Sequence, residues 1–471
     1  MNVAAPTPSL RWGIVGGGML GLTLAHRLAG RGQQVAVLEA APEVGGLASA
    51  WQLGDVTWDR HYHVTLLSDL RLRALLAELG LESNMRWVET KTGFYTDGRQ
   101  YSMSNSLEFL RFPPLGLLDK LRLGLTIFAA SRRKNWRPLE GMLVADWLRR
   151  WSGRRTFAKI WKPLLQAKLG QCYLETSAAF IWATIARMYA ARQSGLKKEM
   201  FGYVPGGYAR VLARFSEALE TAGVELCTGC RVSEVRAQPD GQVLVEHHRG
   251  SRWFDRVVLT TPAPAVVQVC PQLSEEERQR HSRIQYLGII CASVLLRRPL
   301  TPYYVTNITD AGLPFTAVIG MTTLVDPAEL GGHHLVYLPR YAAASDEAWN
   351  WSDHEVQERF LAALVRMYPD FRPEDVQAFR VSRAKHVMAL PTLHYSQHLP
   401  PLATAGPNVF AVNSAHIVKG TLNVNEVVEL ADDAFQTVLL PSIAGAAPWS
   451  AVDAPTQDSH DPAAGELVAR S

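Results

Sequence analysis

The 471-residue sequence predicts an α/β fold: a Rossmann-like domain that carries an inserted α+β domain. Three observations predict it. A GxGxxG run lies between two short apolar segments near the start. Further strand-like segments of the same kind return at 200–290 and 400–442. The stretches between them, 66–199 and 291–399, are long enough to form a second domain.

The first unit reads in order. Arg11, Trp12, Gly13, Ile14 and Val15 form a short buried strand. Gly16, Gly18 and Gly21 fill the glycine positions, and Leu20, Leu24, Ala25 and Leu28 recur at helical spacing. Gln34 to Leu38 is a second strand ending in Glu39, with Ala40 behind it. Gly16 permits the tight turn. Gly18 lets a pyrophosphate approach the backbone, and Gly21 lets the helix pack on the sheet. Met19 and Leu20 open the helix, whose free N–H groups and positive dipole end suit that anion. The Glu39 carboxylate can accept both hydroxyls of an adenosine ribose and would repel a 2′-phosphate, which disfavours NADP. In this full strand–turn–helix–strand–acid context the motif is strong evidence for a dinucleotide.

A second glycine pair follows the acid: Val44-Gly45-Gly46-Leu47-Ala48-Ser49. The arrangement resembles the flavoprotein superfamily of amine oxidases, protoporphyrinogen oxidases, carotenoid desaturases and UDP-galactopyranose mutases. The resemblance implies a glutathione-reductase-type Rossmann domain and FAD, held without a covalent link; Cys270 and Cys291 are poorly placed for one. It implies that the second pair lets the chain run along the diphosphate and ribityl. The candidate cofactor contacts of this unit are Gly16, Gly18, Met19, Leu20, Gly21, Glu39, Ala40, Gly45, Gly46, Leu47, Ala48 and Ser49. The family usually has an arginine soon after the pair, and none stands here.

Two later segments carry the same resemblance. At 202–212, GYVPGGYARVL, Gly206 and Gly207 precede a helix, and strands follow at 231–235, 242–245 and 255–261. The family implies that the backbone at Val232 pairs with adenine and that the strand ending at Thr261 returns under the cofactor. At 408–414 a strand ends in Asn413 and Ser414, where Gly-Asp is usual; Ser414 can donate in place of the missing carboxylate. Asn423 with Glu426 has the form of a capping box. The family implies that this helix start, with Asn423 and Val424, faces flavin N1 and C2=O, where charge collects on reduction. The expected FAD domain is 10–65, 200–290 and 400–442, and the substrate domain 66–199 and 291–399.

Four segments are candidates for substrate contact. Residues 58–63, WDRHYH, correspond to a histidine loop near the flavin in related enzymes, so His61 or His63 is expected there, with a buried backbone-bonded histidine as the alternative. Residues 106–133 are apolar with basic residues at the end; a core helix pair is the favoured reading and peripheral membrane contact the other. Residues 158–173 carry Trp161, Lys162 and Lys168, for an anionic substrate or for snorkelling at a surface. In 380–398, Lys385 is the candidate for a lysine joined to flavin N5 through water.

The bulk numbers bound the rest. A net charge of +4 and no long block of like charge argue against a nucleic-acid binder. Five scattered cysteines, with Cys227 and Cys230 as a lone CxxC, favour a reducing, cytoplasmic setting without disulfides or metal. No signal peptide or membrane span is legible, and 447–471 reads as a disordered tail. The expected function is an FAD-dependent oxidoreductase that moves a hydride from a small, apolar or amphipathic organic substrate to flavin N5, with oxygen or another acceptor taking the electrons. The alternatives are a non-redox mutase acting on a nucleotide sugar and a binding protein with structural FAD. Oligomeric state is not legible.

Overall fold

In a computed structural model, residues 8–190 and 199–444 are described. The tail expected at 447–471 lies outside them. Five short strands form a parallel sheet: β1 (Arg11–Val15), β2 (Gln34–Leu38), β3 (Glu225–Cys227), β4 (Arg256–Leu259) and β5 (Val409–Ala411). Their order is β3-β2-β1-β4-β5, so the chain winds outward from β1 in both directions. The ligand crevice of such a sheet lies beyond the carboxyl ends of the strands. These strands are nearly all apolar because the inner ones are covered on both faces; β4, for example, is buried throughout. One face carries α1 (Met19–Ala29), α3 (Gly207–Thr221) and α4 (Val424–Ala434), whose Leu22, Leu24, Phe215 and Val428 share one core. The other face carries an antiparallel ribbon at 232–254, with Val235, Val243 and Val245 in a second core.

A seven-stranded sheet forms the base of the second region. Its longest strands are Val376–Ala389, Tyr286–Leu296 and His334–Ala342. The boundary expected at 290 falls inside the strand Tyr286–Leu296, whose eleven residues are all buried. An unbroken apolar strand cannot be divided between two sheets, so this element belongs wholly to the second region. The strand Met200–Tyr203 likewise pairs with Thr65–Leu66 and Arg86–Glu89 rather than with the Rossmann sheet.

Residues 106–133 form a short helix, Ser106–Arg111, and α2 (Leu117–Arg132). The inner side of α2 buries Leu123, Thr126 and Ala130. Its outer side leaves Leu117, Leu118, Leu121, Leu125 and Phe128 each at least half exposed. The core-pair expectation therefore holds for one face only, because among the described residues there is no second layer over the other. No helix among the described residues is long and apolar enough to cross a membrane.

Candidate functional site

The two glycine segments lie edge to edge at the carboxyl ends of β1 and β2. Gly16 has φ +112°, and a Cβ there would stand 2.5 Å from Thr260 Oγ1. That hydroxyl donates to the carbonyls of Val15 and Gly16, a tie from β4 that sequence reading missed. A Cβ on Gly21 would meet Gly16 O at 2.0 Å. Gly18 differs: nothing lies within 4 Å of its added Cβ, and α1 has no side-chain cap and no acid in its first turn. The uncapped helix start thus has open space beside Gly18, as an anion site requires.

The second pair packs against the first. Gly45 N donates to Gly17 O at 2.7 Å, Gly45 has φ +114°, and a Cβ on Gly46 would be 3.3 Å from Gly18 Cα. This close approach explains why glycine is required twice. Leu47 and Ala48 continue the turn at Gly46–Ala48, and Ser49 Oγ donates back to Gly46 O. Glu39 clamps the assembly. Its Oε2 accepts from Gly17 N (2.6 Å) and its Oε1 from Ala41 N (2.7 Å). Each oxygen keeps a lone pair for a ribose hydroxyl.

The neighbouring strands end in unmet polar groups. Thr261 Oγ1, past β4, and Asn413 Nδ2, past β5, are buried without a partner. Asn413 Oδ1 accepts from Ala415 N. Asn413, rather than Ser414, thus presents the buried donor at the position of the usual carboxylate pair. α4 begins at Asn423, whose Oδ1 accepts from Glu426 N at 3.1 Å. The expected reciprocal bond from Glu426 is absent; that carboxyl lies over Gly420. Burial, then the nearby Glu429, raises its pKa to about 7. Gly206 caps α3 in the left-handed region, and Val232 opens the ribbon, half-buried. The glycine cradle, the uncapped helix start and the two orphaned side chains fit the diphosphate and polar chain of FAD.

The histidine loop crosses this site. His61 is buried, with Nδ1 3.1 Å from Leu47 O and Nε2 3.0 Å from Ser382 Oγ. Burial lowers its pKa to about 4. With both nitrogens engaged, His61 joins the glycine turn to the strand Val376–Ala389, the buried, backbone-bonded arrangement that was the alternative for one histidine of this loop. His63 keeps part of its ring open, 17% of the side chain, and leans on Tyr208 with centroids 4.8 Å apart. Lys385 is exposed at a register shift opposite Gly288. Its neighbour His386 meets the Tyr286 ring, and the Tyr286 hydroxyl accepts from Ala263 N just past Thr261. Trp161 is core, donating to Ser152 Oγ. Lys168 Nζ lies 4.4 Å from the Tyr341 ring centroid, a cation–π contact.

Fold and site define a Rossmann-type flavoprotein. The chain belongs to the flavin containing amine oxidoreductase family, whose model matches residues 20–423, and FAD is its cofactor. Relatives include the probable zeta-carotene desaturase of Synechococcus elongatus, 26% identical over 50% of this chain and 53% of that protein. The zeta-carotene desaturase of Synechocystis sp. is 24% identical over 61% of this chain and 65% of the relative. The chain thus spans between half and two thirds of the length of these two relatives. The 15-cis-phytoene desaturase of Capsicum annuum is 21% identical over 83% and 70%. Similar folds include a putative protoporphyrinogen oxidase from Exiguobacterium (TM-score 0.73, 18% identity, 92% of this chain and all of that one). A putrescine oxidase bound to putrescine has TM-score 0.69 and 18% identity over 92% of this chain and all of the other. The nucleotide-sugar mutase alternative finds no support in the family or in these relatives.

Proposed function

We propose that the chain is an FAD-dependent dehydrogenase of an apolar, isoprenoid-like substrate, oxidising a C–C bond at a membrane surface. The observation that carries this reading is the exposed apolar side of α2, in a chain whose relatives are desaturases of hydrocarbon polyenes. Leu117, Leu118, Leu121, Leu125 and Phe128 share that side, and Leu107 and Leu110 add to it. Arg111, Arg122, Arg132, Lys134 and Arg137 are exposed nearby. The acids of the segment are engaged: Glu108 by Ser102 and Ser104, Asp119 by Arg155. Apolar side chains rimmed by exposed cations, of which Arg132 lies over the Phe128 ring, suit an anionic bilayer surface.

FAD, when bound, supplies hydride acceptance at N5. The chain's residues hold it. The amides after Gly18 take the diphosphate, Glu39 the ribose, and the Val232 backbone the adenine edge. The start of α4 at Asn423 and Val424 offers its dipole to the flavin. Lys385 and His63 approach the reacting face. The reading includes a cytoplasmic chain, peripheral on the membrane, that passes electrons to oxygen or another acceptor.

The test is anaerobic mixing of the FAD-loaded protein with isoprenoid hydrocarbons in vesicles, or with alkyl amines. Flavin bleaching by the hydrocarbon supports the reading; bleaching by amines alone overturns it. Leu118→Glu with Leu121→Glu should abolish sedimentation with anionic vesicles while FAD content is retained. Unchanged sedimentation removes the membrane part.

A further inference from the structure

Beside the histidine loop lies a cavity of about 20 Å³, room for one water. Trp58, Asp59, His63, Gly207 and Tyr208 are among its walls. Three polar groups on those walls have capacity to spare. Trp58 Nε1 and His63 Nδ1 are buried without a partner. Asp59, 3% exposed, accepts from Tyr208 N through Oδ1 at 2.7 Å, which leaves Oδ2 free. Oδ2 stands 3.8 Å from His63 Nδ1, too far for a direct bond and suited to a bridging water. Gly207 protects the arrangement, since a Cβ there would reach Asp59 Oδ1 at 2.7 Å.

We propose that Asp59 is the positioning residue of His63, acting through one buried water, and that its protonation selects which tautomer the imidazole presents at its open edge. The inference rests on the flavin reading of the cleft. The geometry fixes the two states. When Asp59 is protonated, Oδ2–H donates to the water, the water donates to Nδ1, and Nε2 carries the ring proton. When Asp59 is ionised, the water donates to Oδ2 and accepts from Nδ1–H, and Nε2 is a lone-pair acceptor. The imidazole stays neutral in both, and solvent takes the one proton lost.

The surroundings favour this. Burial raises the Asp59 pKa to about 7, against the Tyr208 amide. Burial, then the neighbouring His61, lowers that of His63 to about 3, while the His61 carbonyl opposes. Among the described residues no lysine or arginine pairs with Asp59. The groups facing it are the phenols of Tyr208, Tyr304 and Tyr337, of which the Tyr337 hydroxyl donates to the Asp59 carbonyl at 2.6 Å, and the ion pair of Arg187 with Asp69, 2.9 Å, acts on this cluster from further off.

The test is ¹⁵N-histidine spectroscopy of the FAD-loaded protein from about pH 5.5 to 8.5, spanning the Asp59 transition and the ordinary histidine range. His63 is assigned by the signal lost in His63→Gln. The expected result is a change from the Nε2–H to the Nδ1–H tautomer near neutrality. Asp59→Asn, always a donor at that position, should hold the Nε2–H form throughout. One unchanging tautomer in the wild type, or an unaltered switch in Asp59→Asn, overturns the proposal. ¹³C-aspartate labelling needs no variant: one buried carboxyl should ionise over the same interval, and its absence also overturns the proposal. The same spectra can be read without cofactor, so failure to bind FAD is recognised separately.

Discussion

Gly18→Ala separates cofactor binding from folding. At this position an added Cβ meets no protein atom within 4 Å, and the backbone is already in the ordinary extended region at φ −72°. Loss of the glycine N-cap and gain from a stiffer unfolded chain oppose each other, so the apoprotein should change by less than about 1 kcal/mol. The methyl points into the space assigned to the diphosphate. Overfilling a fitted site costs about 1–3 kcal/mol, which weakens FAD binding by about 5- to 150-fold. Flavin fluorescence titration of the apoprotein reads the affinity, and circular dichroism melting reads the fold. Gly21→Ala is the contrast: its Cβ would lie 2.0 Å from Gly16 O, so stability and binding should fall together. Unchanged FAD affinity in Gly18→Ala would refute the placement of the diphosphate over this turn.

Three other outcomes follow from the same contacts. His61→Ala leaves Leu47 O and Ser382 Oγ unmatched in the interior and should cost about 2–4 kcal/mol in urea unfolding, while Ser382→Ala should cost about 1 kcal/mol; a neutral His61→Ala would contradict the strut. Glu426 binds its proton more tightly folded (about 7) than at its ordinary 4.5, so its contribution to stability is present below the lower value and lost as pH rises through the upper. Glu426→Gln should therefore raise the urea midpoint relative to wild type at pH 8 more than at pH 5, and an equal shift at both would refute the buried proton. Lys385→Met should leave the melting temperature unchanged, as its side chain is exposed, and slow flavin re-oxidation; an unchanged rate removes it from the flavin.

What was legible in the sequence divides by range. The βαβ unit was legible because its glycines act within a few residues, at Gly16, Gly18 and Gly21. The second pair was legible as a motif, but its partner was not: that Gly45 bonds Gly17 depends on the chain returning. Thr260 escaped notice because its contact runs to Val15 and Gly16 across two strands. Asn413 was seen as a departure from Gly-Asp, while its buried amide could be found only once β5 stood beside β4. His61 and His63 look alike in sequence. Burial between Leu47 and Ser382 gives one a fixed place, while the other turns its buried Nδ1 to the cavity beside Asp59 and keeps 17% of its side chain exposed. The strand at 286–296 was misdivided because an apolar run carries no mark of the sheet it joins.

The most direct test of the account is the visible spectrum of the purified protein, taken before and after denaturation and removal of the precipitate. The account predicts flavin bands in the native sample and free FAD in the supernatant. A protein that stays colourless after FAD is added, or flavin that remains with the precipitated chain, would contradict a non-covalent FAD site built from the two glycine segments.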